Sequence, residues 1–164
     1  GRKPGEDPDE LPATYAELIN KSIKGRPNDM TVCVHVCRGN AQSQWFASGG
    51  YEVIAEKVFN VTEVDGFFME YDDERSGGFE PLRFVPKGGP KIVLGLLTTK
   101  RGEMEPRDEI LRRIEEASKY VEIDQLCLSP QCGFSSNAIG NLISVEDQVA
   151  KLRNIVKIAD EVWG

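Results

Sequence analysis

A chain of 164 residues is long enough for one domain with a real hydrophobic core. Its 27 acidic and 20 basic residues give a net charge of −7 and a pI near 4.9. That balance argues against a general nucleic-acid or anionic-membrane binder, either of which needs a basic face.

The opening GRKPGEDPDE, residues 1–10, reads as a loop or linker with no apolar segment of the secretory kind. No window approaches the roughly 18 apolar residues of a membrane helix. A cytoplasmic protein is therefore expected, with its four cysteines as reduced core thiols, metal ligands or catalytic groups rather than disulfides. Residues 12–24 carry Tyr15, Leu18, Ile19 and Ile23 at helical spacing. A strand over 31–37 (TVCVHVC) is followed by a helix over 51–59 with Tyr51, Ile54, Val58 and Phe59 on one stripe. A second strand covers 66–71, and SGGFEPLRFVPKGGP after it predicts a loop-like connection rather than a helix. The third strand spans 91–99. A helix over 106–121 opens at Pro106 and repeats Ile110, Leu111, Ile114, Ala117 and Val121. The fourth strand, 125–129, precedes a helix that Ser144 caps, with Asp147 three residues on and a stripe of Val145, Val149, Leu152, Val156, Ala159 and Val162.

Short runs rich in Val, Ile, Leu and Phe alternating with amphipathic helices predict an α/β fold with a parallel sheet. Four strands do not close a barrel, and a doubly wound sheet usually uses five or more. The set therefore reads as part of something larger.

On a strand, residues i, i+2 and i+4 share a face. Cys33, His35 and Cys37 thus point one way while Val32, Val34 and Val36 point the other. Parallel α/β folds place their chemistry at the C-terminal ends of strands, where His35 and Cys37 fall; Cys33 lies deeper and reads as a small core residue. Zinc needs about four ligands, so two must come from elsewhere. Glu70 ends the apolar run GFFME, where a carboxylate is costly to bury alone, and Cys132 stands just past the fourth strand, before a glycine suited to a sharp turn.

H-x-C alone is a weak signal, because a lone histidine among scattered cysteines is more often a satisfied core group than a ligand. Glu70 has a competing reading as a salt-bridge partner of Arg75 or Arg83. A structural zinc held by all four cysteines lacks the C-x2-C spacing. No G-x-S-x-G elbow supplies a serine nucleophile, and SGG and KGG lack the phosphate-loop pattern. Asp72, Asp73 and Arg75 read as a solvated run of loop charges. Asn40, Ser129 and Gln131 read as polar supports where a barrel mouth would be, and Lys100, by its position, as a group to meet an anionic substrate tail.

VHVCRGN, FFMEYD, IVLGLLTTK and QLCLSPQCGFSS, in that order, resemble successive strand ends of the cobalamin-independent methionine synthase family in its shorter bacterial and fungal forms. The similarity covers roughly residues 12–164. It implies the C-terminal half of a (β/α)8 TIM barrel for the whole of 1–164, with a missing N-terminal half or a homo-oligomer to complete it. It also implies zinc held by His35, Cys37, Glu70 and Cys132, with homocysteine activated as thiolate and methylated by 5-methyltetrahydrofolate, and Glu70 loosening as the thiol enters. The folate contacts and those to the amino-acid part of the thiol substrate belong to the first half of such a barrel. Two alternatives stay open: a related zinc alkyltransferase acting on another small thiol, and a non-catalytic half-barrel needing a partner chain.

Overall fold

The computed structural model describes residue 7 and residues 10–135 and 137–164. The loop or linker expected over 1–10 falls mostly outside these residues. In chain order the regular elements are α1 (Leu11–Ile23), β1 (Cys33–Val36), α2 (Glu52–Val61), β2 (Gly66–Glu70), β3 (Lys91–Leu97), α3 (Arg107–Ser118), β4 (Leu126–Pro130) and α4 (Val145–Trp163). All four strands pair in parallel, in the order β1-β2-β3-β4. Between β2 and β3 the chain makes two short 3-10 turns, Glu74–Ser76 and Glu80–Phe84, where the glycine- and proline-rich sequence disfavours a helix.

The strands are continuous apolar runs, yet their two faces differ. Phe67, Met69, Ile92, Leu94, Leu96 and Leu126 are buried with Ala55 and Phe59 of α2, Ile110, Ile114 and Ala117 of α3, and Ile155 and Ile158 of α4. Phe59 meets Phe67 edge to face at 5.2 Å. Each such side chain, fully buried, contributes about 1.5–3 kcal/mol. On the other face, Phe68 keeps 38% of its surface, and Cys33 and His35 are exposed. Cys33 is therefore not the core residue expected, because it points from the sheet face that no described helix covers.

Two helices sit differently from their predicted stripes. In α4 the buried positions are Lys151, Ile155 and Ile158, leaving Val145, Val149, Leu152 and Val156 exposed. The helix carries two apolar stripes, and polar bonds select one of them. Lys151 Nζ donates to Glu105 Oε2 at 2.8 Å and to the Glu103 carbonyl at 2.6 Å, and Trp163 Nε1 donates to the Ile123 carbonyl at 2.9 Å. Ser144 caps the helix as expected, accepting from the Asp147 N–H at 3.0 Å. In α1, Ala16 is buried, Ile19 and Ile23 are packed against the core, and Tyr15 and Leu18 face outward.

Candidate metal centre

Neighbouring strands lie about 4.8 Å apart, so β1 and β4 are separated by roughly 14 Å along the sheet. The chain after β4 crosses that gap over the ends of β2 and β3, starting from a Gln131 N–H bond to the Leu97 carbonyl at 2.8 Å. Cys132 Sγ then stands 3.1 Å from Cys37 Sγ and 3.2 Å from His35 Nε2. Gly133 does not take a left-handed backbone, so the turn expected there is made without it.

The histidine tautomer follows from its other contact. His35 Nδ1 lies 3.2 Å from the Phe68 carbonyl, which can only accept, so Nδ1 carries the proton and Nε2 presents its lone pair to Cys132. Cys37 Sγ accepts from the Gly39 N–H at 3.2 Å. Burial, the hydrogen bond with Cys37 and the nearby Glu70 charge together push the Cys132 thiol up to about 12.

Glu70 is wholly buried at the end of β2 and makes its bonds elsewhere. Its Oε2 accepts from the Arg38 backbone N–H at 2.6 Å, and Oε1 lies 3.4 Å from Arg75 Nη2 and 3.6 Å from Lys100 Nζ. The Arg75 pairing is thus real, whereas Arg83 pairs with Glu52 instead. Asp72, Asp73 and Arg75 are not a solvated run. The Asp72 side chain is almost fully buried between Arg75 and Lys100, and burial raises its carboxyl above the ordinary range against the pull of Lys100. Nor does Lys100 reach outward to a substrate tail, since its charge is taken up by Asp72 at 3.2 Å and by Glu70.

Among the described residues, His35, Cys37 and Cys132 form a group able to hold a metal ion, with all donor atoms within 4.8 Å of one another. Tetrahedral zinc with Zn–S near 2.3 Å and Zn–N near 2.0 Å separates its donors by roughly 3.5–3.8 Å. The two close pairs need to open by about half an ångström to admit the ion, and with all three donors within 4.8 Å of one another the set fits it. Beside the cluster opens a recess of about 270 Å³ whose lining includes His35, Phe68, Ser129 and Cys132.

No protein-family model matches the chain. It is 57% identical over 159 residues to the uncharacterized protein YxjG of Bacillus subtilis, covering 97% of this chain and 42% of that one. To the methionine synthase of Pyrococcus abyssi it is 29% identical over 151 residues, covering 92% of this chain and 38% of that one. A Listeria monocytogenes crystal structure, described as a "putative vitamin-B12 independent methionine synthase", superposes with a TM-score of 0.77 at 42% identity, covering 99% of this chain and 44% of that one. The chain is related to the cobalamin-independent methionine synthases, and it matches the C-terminal half of their barrel. It spans about two-fifths of the length of these relatives.

Two residues at this strand end, Arg38 and Tyr51, were not expected at the site, Tyr51 having been expected only on the apolar stripe of a helix. The Arg38 guanidinium stacks 4.2 Å over the Tyr51 ring and donates to the Tyr51 hydroxyl at 2.7 Å, while the Tyr51 hydroxyl donates to the Glu70 carbonyl at 2.9 Å. Together they lock the loop after Cys37 to the end of β2. An arginine directly after a candidate ligand was the available signal, but nothing in the sequence tied it to Tyr51.

Proposed function

We propose that the chain is part of a zinc-dependent methyltransferase that moves a methyl group from 5-methyltetrahydrofolate to the thiol of homocysteine. The observation that carries this reading is the meeting of three soft donors, brought from opposite edges of the sheet, in a chain whose relatives include named methionine synthases. His35, Cys37 and Cys132 would hold the zinc, and Glu70 is proposed as the fourth ligand and the one that yields its place to the substrate thiol. Its place at the end of β2, the strand paired with the one that carries His35, supports that role. When bound, zinc supplies a substrate thiol that is deprotonated at neutral pH yet electron-rich enough to attack a methyl group.

The chain's own residues prepare the site. The Phe68 carbonyl fixes the His35 tautomer, the Arg38 N–H and the Arg75 and Lys100 side chains hold the Glu70 carboxylate, and the Gly39 N–H orients Cys37. The recess is small, which suits a small thiol. The folate, and the cover for the sheet face that carries Cys33, His35 and Phe68, would then come from the other half of the barrel. Free cysteines suit a reducing cytoplasm, and among the described residues no helix is long and apolar enough to cross a membrane.

The reading is tested by loading the protein with cobalt(II) in place of zinc and adding homocysteine. A rise in thiolate-to-cobalt absorption that Cys132→Ser abolishes is expected. No response to the thiol, in a protein that holds the metal, would overturn the assignment of substrate.

A further inference from the structure

Asn40 lies three residues after Cys37, and Gln131 and Gly133 flank Cys132. Asn40 and Gln131 meet at Thr99, just past the end of β3, and Asn40 also reaches Gly133. Asn40 Nδ2 lies 3.3 Å from the Gly133 carbonyl and 2.8 Å from Thr99 Oγ1. Thr99 Oγ1 lies 2.8 Å from Gln131 Oε1. The carbonyl of Gly133 can only accept, so Asn40 presents its amide N–H there. The same amide group then donates to Thr99, and the threonine hydroxyl passes its own proton toward Gln131 Oε1. The Gly133 carbonyl thus sets the orientation of the Asn40 amide.

Thr99 is used a second time. Its carbonyl accepts from Asn141 Nδ2 at 3.0 Å, while Asn141 Oδ1 accepts from the Ser43 N–H at 3.3 Å. The Leu142 N–H donates to Ser43 Oγ at 2.9 Å. The loop after β1 and the loop after β4 are therefore joined directly at two places, Asn40 to Gly133 and Ser43 to Asn141 and Leu142, and Thr99 of a third loop bonds to both places. Asn40, Thr99 and Gln131 are buried, where bonds between polar groups are strong, and the two outer atoms, Asn40 Oδ1 and Gln131 Nε2, have no partner among the described residues.

We infer that Thr99 is the hub of a positioning relay, Asn40–Thr99–Gln131, that holds the loops bearing Cys37 and Cys132 so that their thiols meet. The relay deepens the metal-centre reading by naming what preorganises it, and it stands on the thiol geometry alone. None of its residues touches the reacting atoms. Each acts by fixing the loop that bears a ligand.

The test uses Thr99→Val, which keeps the shape and deletes the hydroxyl, and Thr99→Ser, which restores it. Asn40→Ala serves as a second disrupting variant should Thr99→Val fail to fold. The metal-free protein is equilibrated with reduced and oxidised glutathione, and the Cys37–Cys132 disulfide is quantified by peptide mapping. Two thiols and one glutathione disulfide give one protein disulfide and two glutathione thiols, so the yield reports how often the thiols meet. Thr99→Val is expected to lower the equilibrium constant about tenfold, Thr99→Ser to stay within about twofold of the unaltered protein, and zinc affinity to follow with a loss of about ten- to a hundredfold. No disulfide in the unaltered protein, an unchanged yield in Thr99→Val, or equal losses in the valine and serine variants would overturn the relay. Thiol pairing that responds to Thr99→Val in a protein that never binds zinc would uphold the relay and remove the metal-centre reading.

Discussion

Gly95 of β3 pairs in register with Glu70 of β2, at the end of the sheet where the metal donors gather. A Cβ at position 95 would meet the Met69 carbonyl oxygen at 2.7 Å and Gln131 Cα at 2.8 Å, both of them backbone atoms. Backbone cannot swing aside as a side chain can, so the Cys132 loop lies this close because residue 95 has no side chain. Gly95→Ala is expected to cost about 1–3 kcal/mol in urea unfolding and to weaken zinc binding by displacing Gln131. A variant equal to the unaltered protein in both measurements would show that the close approach is not a constraint.

The Lys151–Glu105 pair sets the rotation of α4. Lys151 is fully buried, and Glu105 accepts both from its ammonium and, at 2.9 Å, from the Thr98 N–H. Lys151→Met keeps much of the packing but strands the carboxylate. Breaking a fully buried pair costs about 3–5 kcal/mol, and the partial exposure of Glu105 lowers the expectation to about 2–4 kcal/mol. Adding Glu105→Gln should recover part of the loss. A change under about 0.5 kcal/mol for Lys151→Met would place the determinant of helix rotation elsewhere.

Acid should loosen the start of the sheet. Asp65 Oδ2 accepts from the Val32 N–H at 2.7 Å, and this bond, with Arg26 beside it, holds the carboxyl below its ordinary value. A depressed folded-state pKa stabilises the fold above the unfolded value of about 3.9, and that contribution is lost as pH falls through the lower folded value. Urea midpoints measured from pH 7 down to the acid limit should fall more steeply in the unaltered protein than in Asp65→Asn. Parallel curves would contradict the assignment.

Much of the architecture was legible in the sequence because parallel strands buried in an α/β layer read as unbroken Val, Ile, Leu and Phe runs. The weak link after β2 was legible from its glycines and prolines. The side chosen by α4 was not, because its two apolar stripes are equivalent in pattern and a lysine decides between them. Likewise, Cys33 reads as core by composition, and only the uncovered sheet face exposes it. At the site, His35, Cys37 and Cys132 were legible as strand-end residues, whereas the buried charges of Asp72 and Lys100 look in sequence like an ordinary surface loop.

The Cys132 thiol, pushed up to about 12, should be almost wholly protonated at pH 8 in the metal-free protein. Iodoacetamide should modify it at least about a hundredfold more slowly than an unperturbed thiol. Zinc must displace that proton, so affinity should rise about tenfold per pH unit for each proton released. Fast alkylation of Cys132, or zinc affinity independent of pH, would contradict the burial and pairing described here.

The metal content of the purified, folded protein tests the central claim most directly, measured by atomic emission beside His35→Ala and Cys132→Ser. About one zinc per chain is expected, lost in both variants, which would tie the ligands of β1 and the β4 loop to one ion. A folded protein without zinc, or zinc retained in both variants, would contradict it.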